Sequence, residues 1–390
     1  MTKLGIAVAA LLLAPAAFAL ANDHHVATTG DDWGAGSATA PFRTIRQALN
    51  VAGPGDTVYL HAGTYAEQVS TYQGAIQGGA SWADALIISA LPGDTVVLEP
   101  HSGSERVFTL AAASASYIVV RGIVMDARNV KYEGVKVTWS GVDPANSSHH
   151  IRIEDSEVLN SPGQGVLVDG HHNELLRLRV HGNGVSDFDH GIYITSRDNL
   201  VDGCEVYQNA GSGVHVYNGA AKGADRNIVR NNRIRDNARI GRRGSGIVLS
   251  SGEENIAFNN VISGNKIGIQ VDYAALRSRV YNNTIFAQAN DGIYVGAGAA
   301  DSDVRNNLVF GNSQGITNAG IRTKTGTNLV ATDPGVVDAA RFDLHLRASS
   351  PAIDTGAALD GVPFDHDRVP RPQGAGYDIG AYEYRAVPPH

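Results

Sequence analysis

The sequence predicts an all-β chain wound into a right-handed parallel β-helix, with an N-terminal capping helix and an irregular C-terminal cap. Three observations carry that prediction. One strand motif recurs: Gly134-Val-Lys-Val, Gly165-Val-Leu-Val, Gly191-Ile-Tyr-Ile-Thr, Gly213-Val-His-Val, Gly246-Ile-Val-Leu, Gly268-Ile-Gln-Val and Gly292-Ile-Tyr-Val, with a weaker Gly315-Ile-Thr. From Gly165 the glycines are spaced by 26, 22, 33, 22, 24 and 23 residues, a repeat length that belongs to solenoid coils. Asn-Asn pairs at 231/232, 259/260, 282/283 and 306/307 run in step with it. Finally, 45 of the 390 residues are glycine and only 7% are aromatic. That composition suits a turn-rich solenoid, which outgrows ordinary domain length because each coil touches only its neighbours.

Within each motif the second and fourth residues are aliphatic and the third and fifth vary, so each copy is a strand with one buried face. Runs such as Asn227-Ile-Val-Arg and Asn232-Arg-Ile-Arg lie between the motifs. One coil therefore holds about three short strands. Asparagine tolerates the left-handed backbone and bonds its own chain, which fits a tight corner, and stacked asparagines form side-chain ladders.

Met1–Ala21 reads as a signal peptide. Lys3 gives the positive start, Ile6–Leu13 the apolar run, and Ala19-Leu20-Ala21 a small-x-small cleavage site. Secretion to the periplasm or medium is expected, and no later segment is apolar enough to span a bilayer. In the β-helical region, 22–327, Ile45, Ala48, Leu49 and Ala52 follow helical spacing, and Gly53-Pro-Gly-Asp stops that helix. The helix is placed to cover the open end of the aliphatic column. Less regular strands are expected at Ala85–Ser89, Thr95–Leu98, Val107–Leu110 and Tyr117–Met125, and regular coils from about Gly134 to Thr317. From Asn328 the period is lost, and 328–390 is expected to be loop-rich and to close the C-terminal end. Asp365, Asp367 and Asp378 there read as turn caps and partners of Arg368 or Arg371, with a hard cation as the alternative.

Net charge is −8, which argues against a nucleic-acid partner. An acidic substrate stays open, because the field that matters is local to a cleft. A monomer is expected. Cys204, the only cysteine, excludes an internal disulfide and reads as a small buried residue.

Three stretches resemble known families. Thr29-Gly-Asp-Asp, Ala40-Pro-Phe-Arg-Thr-Ile-Arg-Gln-Ala-Leu, Pro54-Gly-Asp-Thr-Val-Tyr-Leu and Gly63-Thr-Tyr resemble the start of secreted pectate-lyase-like proteins. The middle resembles the parallel β-helix repeat of polysaccharide lyases and mannuronan C5-epimerases. Ser350-Pro-Ala-Ile-Asp and Asp378-Ile-Gly-Ala-Tyr-Glu-Tyr are similar to a segment that closes many bacterial β-helix proteins. The resemblance implies the fold and leaves the reaction open. Ser186-Asp-Phe-Asp-His-Gly lacks the order of the epimerases' Asp-Pro-His-Asp/Glu motif. The Asn-Gly-x-Glu pattern of alginate and chondroitin lyases and the polygalacturonase carboxylate set are absent as well.

In-register stacking lines up the third and fifth residues of each motif on one outer face: Lys136/Thr138, Leu167/Asp169, Tyr193/Thr195, His215/Tyr217, Val248/Ser250, Gln270/Asp272 and Tyr294/Gly296. Two coils are longer in the turn leading to this face. Asn259 and Asn282 precede their glycines by 9 and 10 residues, but Asn231 precedes Gly246 by 15. Insertions in solenoids gather on the functional face. One brings Asp187, Asp189 and His190, the other Arg239, Arg242 and Arg243, and both are expected to flank His215 and Tyr217.

That set suits abstraction of a proton beside a carboxylate, as in a uronate polymer. The carboxylate must be neutralised and the enolate stabilised, by Arg242, Arg243 or Lys136, or by a cation such as Ca²⁺ on Asp169, Asp187 and Asp189. His190 or His215 is the natural base, with Asp189 beside it. Tyr193 or Tyr217 is the acid for the leaving oxygen, and Gln270 and Asp272 extend the substrate-binding row. The leading expectation is a secreted lyase cleaving an acidic polysaccharide by β-elimination. A C5-epimerase, a glycoside hydrolase using Asp169 and Asp189, and a carbohydrate-binding β-helix without catalysis are the alternatives.

Overall fold

The paired asparagines divide the work at a corner. In the computed structural model, which describes residues 21–138, 146–219, 223–241 and 244–386, Asn231, Asn259, Asn282 and Asn306 take left-handed backbones with φ of 50–58°. The second asparagine of each pair stacks on the next coil. The Cys204 N–H donates to Asn232 Oδ1 at 2.8 Å, the Asn232 N–H to Asn260 Oδ1 at 3.1 Å, and the Asn260 N–H to Asn283 Oδ1 at 3.0 Å. Similar ladders run through Asn183, Asn209, Asn237 and Asn265, and through Asn173, Asn199, Asn227 and Asn255. Each supplies the buried corner N–H groups that strand pairing leaves over. Cys204 occupies one rung: it is fully buried, and burial pushes its thiol up to about 12.

Three strands per coil build three parallel sheets, of 12, 11 and 10 strands among the described residues. The third sheet carries the repeated glycine motif. Its register is as the sequence predicts: Lys136 pairs with Leu167, Leu167 with Tyr193, Tyr193 with His215, His215 with Val248, Val248 with Gln270, and Gln270 with Tyr294. The alternate residues, such as Val166, Ile192, Ile194, Val214, Val216, Ile247 and Ile269, are fully buried in one continuous core. The glycine is demanded by a close approach. A Cβ on Gly191 would stand 2.7 Å from Asn209 Nδ2 and from Val206 Cγ1, and 2.8 Å from the Gly213 carbonyl.

Ile45–Val51 forms the one α-helix among the described residues, with Thr44 accepting from the Gln47 N–H at 3.1 Å and with Ile45, Ala48 and Leu49 buried. The stretch 117–125 forms two strands, Ile118–Arg121 and Ile123–Asp126, because Gly122 turns a corner at φ 72°. Leu329–Ala331 still pairs with Leu308–Phe310 in the second sheet, so the coils run a few residues past the expected break at 327/328.

The tail lies differently from the expectation. It folds back along the flank of the solenoid instead of closing its end. Val336, Leu344, Leu346, Ile379 and Tyr382 pack on the outward faces of Val261, Phe286, Leu308 and Phe310, and Leu359 and Val362 on Ile256, Phe258 and Tyr281. Outward aromatics on these rungs need an apolar cover, which the tail provides. Asp365 accepts from the Val369 and Glu383 N–H groups, and Asp378 from those of Asp354 and Tyr384. These carboxylates are turn caps. Arg371 is paired with Glu383 and Arg368 with Asp202. No helix is long and apolar enough to cross a membrane among the described residues. The expected signal peptide, but for Ala21, lies outside the described residues.

Candidate active site

Tyr193, His215 and Tyr217 stand together on the third sheet. The His215 ring stacks on Tyr193 at a centroid distance of 5.2 Å and on Tyr217 at 5.6 Å. His190, 6% exposed, sits behind them with its Nε2 2.8 Å from His215 Nδ1. The two longer turns lie side by side, with Gly241 of one so close to Asp187 of the other that a Cβ would stand 2.5 Å from its carboxylate. Gln164 braces the first of them, accepting from the His190 N–H and donating to the Phe188 carbonyl.

Hydrogen-bond polarity fixes both rings. The Ser212 N–H donates to His190 Nδ1 at 3.0 Å, so neutral His190 carries its proton on Nε2 and donates to His215 Nδ1. His215 then carries its proton on Nε2, facing Ser250 Oγ at 3.3 Å. Burial holds both rings neutral. It drives His190 down to about 4 against the pull of Asp189 and Asp187, and with His190 beside it keeps His215 well below its usual value. His190 is therefore not placed to be a base, since it is buried with both nitrogens engaged. His215 offers an N–H donor rather than a lone pair. Burial, reinforced by Tyr217 and Asp169, pushes Tyr193 up to about 12, so its hydroxyl stays protonated at neutral pH.

The carboxylates are arranged otherwise than expected. Asp189 Oδ2 accepts from the Val185 and Ser186 N–H groups and from Ser186 Oγ, at 3.0, 2.8 and 2.8 Å. It shapes its own loop. Asp169 pairs with Lys136 at 2.5 Å and accepts from Thr195 Oγ1. Both charges of that pair are buried, with side chains 6% and 2% exposed, so Lys136 is directed to Asp169 and not to a ligand. Val166–Val168 pairs with Ile192–Ile194, so Asp169 follows the end of one strand while Asp189 lies three residues before the start of the next, at opposite ends of the pair. Asp169, Asp187 and Asp189 thus cannot share a Ca²⁺ ion, and Asp169 and Asp189 cannot form a hydrolytic pair. Among the described residues no three His, Cys, Asp or Glu side chains gather as a metal site.

Gln270 accepts from Ser245 Oγ at 3.0 Å, and its Nε2 lies 3.4 Å from Asp272. Asp272 accepts from the Tyr273 N–H at 2.7 Å. Both stay on the outer row. Arg242 and Arg243 lie outside the described residues. Three residues here were not site candidates in the sequence: Ser212, whose N–H sets the direction of the histidine pair, Ser250, which faces His215 Nε2, and Tyr273, whose ring is 5.9 Å from that of Tyr217. Ser250 was readable as a fifth-position residue of the outward column. Ser212 acts through its backbone and left no side-chain signal.

Comparison with known proteins agrees with this architecture. The sequence family described as a right handed beta helix region matches residues 164–330, and a family described as a protein of unknown function, DUF1565, matches residues 28–73. No curated protein matches the chain in sequence. Among solved structures, pectate lyase Pel9A is similar with a TM-score of 0.72 at 16% identity, covering 95% of this chain and 98% of its own. XylC in complex with xylose gives 0.64 at 11% identity, covering 92% and 98%. Alginate lyase from Paenibacillus sp. str. FPU-7 gives 0.57 at 14% identity, covering 79% and 99%. At such identities the likeness is one of fold. The chain is a right-handed parallel β-helix protein that resembles polysaccharide lyases in architecture.

Proposed function

We propose that the protein is a polysaccharide lyase that cleaves a uronate-containing polymer by β-elimination on the third sheet. The observation that carries the reading is the Tyr193–His215–Tyr217 stack with His190 buried behind it. The Nε2–H of His215 holds the uronate carboxylate and stabilises the charge that grows on it as the C5 proton leaves. Tyr217, its hydroxyl proton first passed to solvent, takes that proton. The C5–H electron pair becomes the C4–C5 double bond, the C4–O4 bond breaks, and Tyr193 gives its proton to O4. Tyr217 then holds a proton and Tyr193 a negative charge. Solvent returns a proton to Tyr193 and takes one from Tyr217, which restores the starting state. The row from Lys136 to Tyr294 gives an extended chain room to lie across several coils. Pectate lyase Pel9A and the Paenibacillus alginate lyase share this architecture, which supports the assignment. Export directed by residues 1–21 would bring the enzyme to such a polymer.

The test is incubation with polygalacturonate, alginate and glucuronan while absorbance from a C4–C5 double bond is followed. A rise that Tyr193→Phe abolishes supports the reading. Shortened chains without absorbance would replace it with hydrolysis, and a changed sugar ratio at constant length with epimerisation. No change in any polymer would leave a binding protein.

A further inference from the structure

The pairing of the third sheet is interrupted at Tyr273. Ser245–Glu253 and Ile267–Leu276 run in step from Ser245 opposite Ile267 to Leu249 opposite Val271. Ser251 then pairs with Ala274, so Asp272 and Tyr273 together face Ser250. This is a β-bulge, rare between parallel strands, and a bulge beside a site re-aims a side chain. Tyr273 has a left-handed backbone, φ 55°, within its strand, a conformation that a bulky residue keeps where its surroundings hold it. Asp272 accepts from the Tyr273 N–H at 2.7 Å. The next coil makes room with glycine. A Cβ on Gly296 would stand 2.1 Å from Asp272 Oδ1, and one on Gly298 2.0 Å from the Tyr273 carbonyl.

We propose that Tyr273 is a substrate-binding residue whose ring packs on the face of the sugar unit next to the one attacked at Tyr217. The inference rests on the lyase reading for its ligand, a polyuronate chain, and on the bulge for its geometry.

Ring positions carry it. Tyr217 follows the Val216–Leu249 pair and so is level with Ser250, which the bulge sets opposite Tyr273. The two tyrosines are thus on one line, two coils apart, or roughly 10 Å at the spacing of paired strands. Their ring centroids are 5.9 Å apart and tilted by 49°. The rings therefore lean toward each other across the intervening coil, where Ser250 and Ser251 are small and buried. Tyr193, His215, Tyr217 and Tyr273 make one run of rings, with successive centroids 5.2, 5.6 and 5.9 Å apart. Tyr273 is its most open member, at 61% exposed. An open aromatic face offers a large, rigid apolar surface, which matches the C–H face of a pyranose. Gln270 and Asp272, on the same strand, bring polar groups for its hydroxyls. The catalytic steps assigned to His215, Tyr217 and Tyr193 do not use this ring, so its part is to hold the chain.

The test is affinity electrophoresis in gels containing polygalacturonate, alginate or glucuronan, with Tyr193→Phe as the parent so that the polymer stays intact. Adding Tyr273→Ala should weaken retardation in the preferred polymer about tenfold, the scale of one aromatic contact. Tyr273→Asn, which suits the left-handed backbone, should do the same, and Tyr273→Phe should match the parent, all with unchanged melting temperatures. In the otherwise native chain, Tyr273→Ala should raise KM by about the same factor and leave kcat nearly unchanged. Equal retardation of parent, Tyr273→Ala and Tyr273→Asn overturns the proposal. So does Tyr273→Phe binding as weakly as Tyr273→Ala, or a parent that no gel retards. Unsaturated product released at an unchanged KM by Tyr273→Ala overturns the subsite and leaves the lyase reading. Retardation that depends on the Tyr273 ring in a protein that releases no unsaturated product sinks the lyase reading and leaves the subsite.

Discussion

His190 Nε2 lies 2.8 Å from His215 Nδ1, and the direction of that hydrogen bond is set from behind by the Ser212 N–H. The pair is a rigid donor relay that ends on the sheet face. Packing enforces it. A Cβ on Gly211 would stand 2.7 Å from His190 Nδ1 and 2.7 Å from the Asp189 carbonyl, so only glycine lets the short turn close on the ring.

If His215 supplies the N–H that holds a developing enolate, His215→Ala should lower kcat by about 10²–10³-fold, the usual loss for one such donor. His190 touches no substrate and acts by orienting His215. His190→Ala should cost roughly 10²-fold in kcat with little change in KM, because a small misplacement of the reacting geometry is enough. Gly211→Ala should reproduce the His190 effect without removing a polar group. Steady-state kinetics on the preferred polyuronate checks all three, and a His190→Ala enzyme at full rate would remove the relay from the mechanism.

The same burial predicts how stability varies with pH. His190, His215, His149 and His150 are all held below the ordinary histidine value, burial being the leading cause, with His190 and His150 at about 4. In the unfolded chain these rings take up protons as pH falls through about 6.5, whereas the folded protein resists until about 4. Stability is therefore full above pH 6.5 and is lost progressively between about 6.5 and 4. Asp378, raised to about 6 chiefly by burial, works in the opposite sense over part of that window, as do Glu67 and His345, both raised, while His25 and His366, both lowered, add to the fall. Thermal melts should give a plateau from about pH 7 to 8 and a clear fall by about pH 5. A flat profile down to pH 5 would contradict the neutral-ring assignment.

The asparagine ladder should be costly to interrupt at one rung. Asn232 Oδ1 accepts from the Cys204 N–H, and its Nδ2 donates to the Val201 carbonyl at 3.1 Å and to Asn260 Oδ1 at 2.9 Å. Asn232→Ala leaves the Cys204 N–H without its partner and takes one donor from the Val201 carbonyl and from Asn260 Oδ1, which keeps the backbone N–H of residue 232, at about 1–3 kcal/mol for a buried group that no water reaches. Denaturant unfolding should show a loss well above that for the exposed Asn50→Ala.

The coil, its three strands and the outward column were legible in the sequence because a period-two pattern repeated at coil length fixes register without tertiary information. Tyr193, His215 and Gln270 fall on that line for this reason. The same register already separated Asp169 from Asp189, since one follows its strand and the other precedes it. Composition drew them together and chain geometry keeps them apart. Lys136 could not be read as buried, because its concealment depends on Asp169 one coil away. Nor was the course of the tail readable. Nothing periodic marks 332–386, and its docking surface is the set of outward apolar residues Phe258, Tyr281, Phe286 and Phe310, which by pattern alone should face water.

That docking gives the last prediction. Arg371 and Glu383 form an ion pair with both side chains 0% exposed. Arg371 also donates to the Asp378 and Gly380 carbonyls and to Asn259 Oδ1 on the solenoid, at 3.3, 2.8 and 3.2 Å. Removing one partner strands a buried charge, so Arg371→Met should cost about 3–5 kcal/mol. Arg368 lies on the same tail and pairs with Asp202, but its side chain is 54% exposed, so Arg368→Met should cost at most about 1 kcal/mol. The double variant Arg371→Met with Glu383→Leu should regain much of the loss, because no charge is then left without water. Limited proteolysis should cut Arg371→Met first within the tail, while the ladder-braced coils resist. Equal costs for the two arginine variants would mean that the tail is held by its apolar contacts alone.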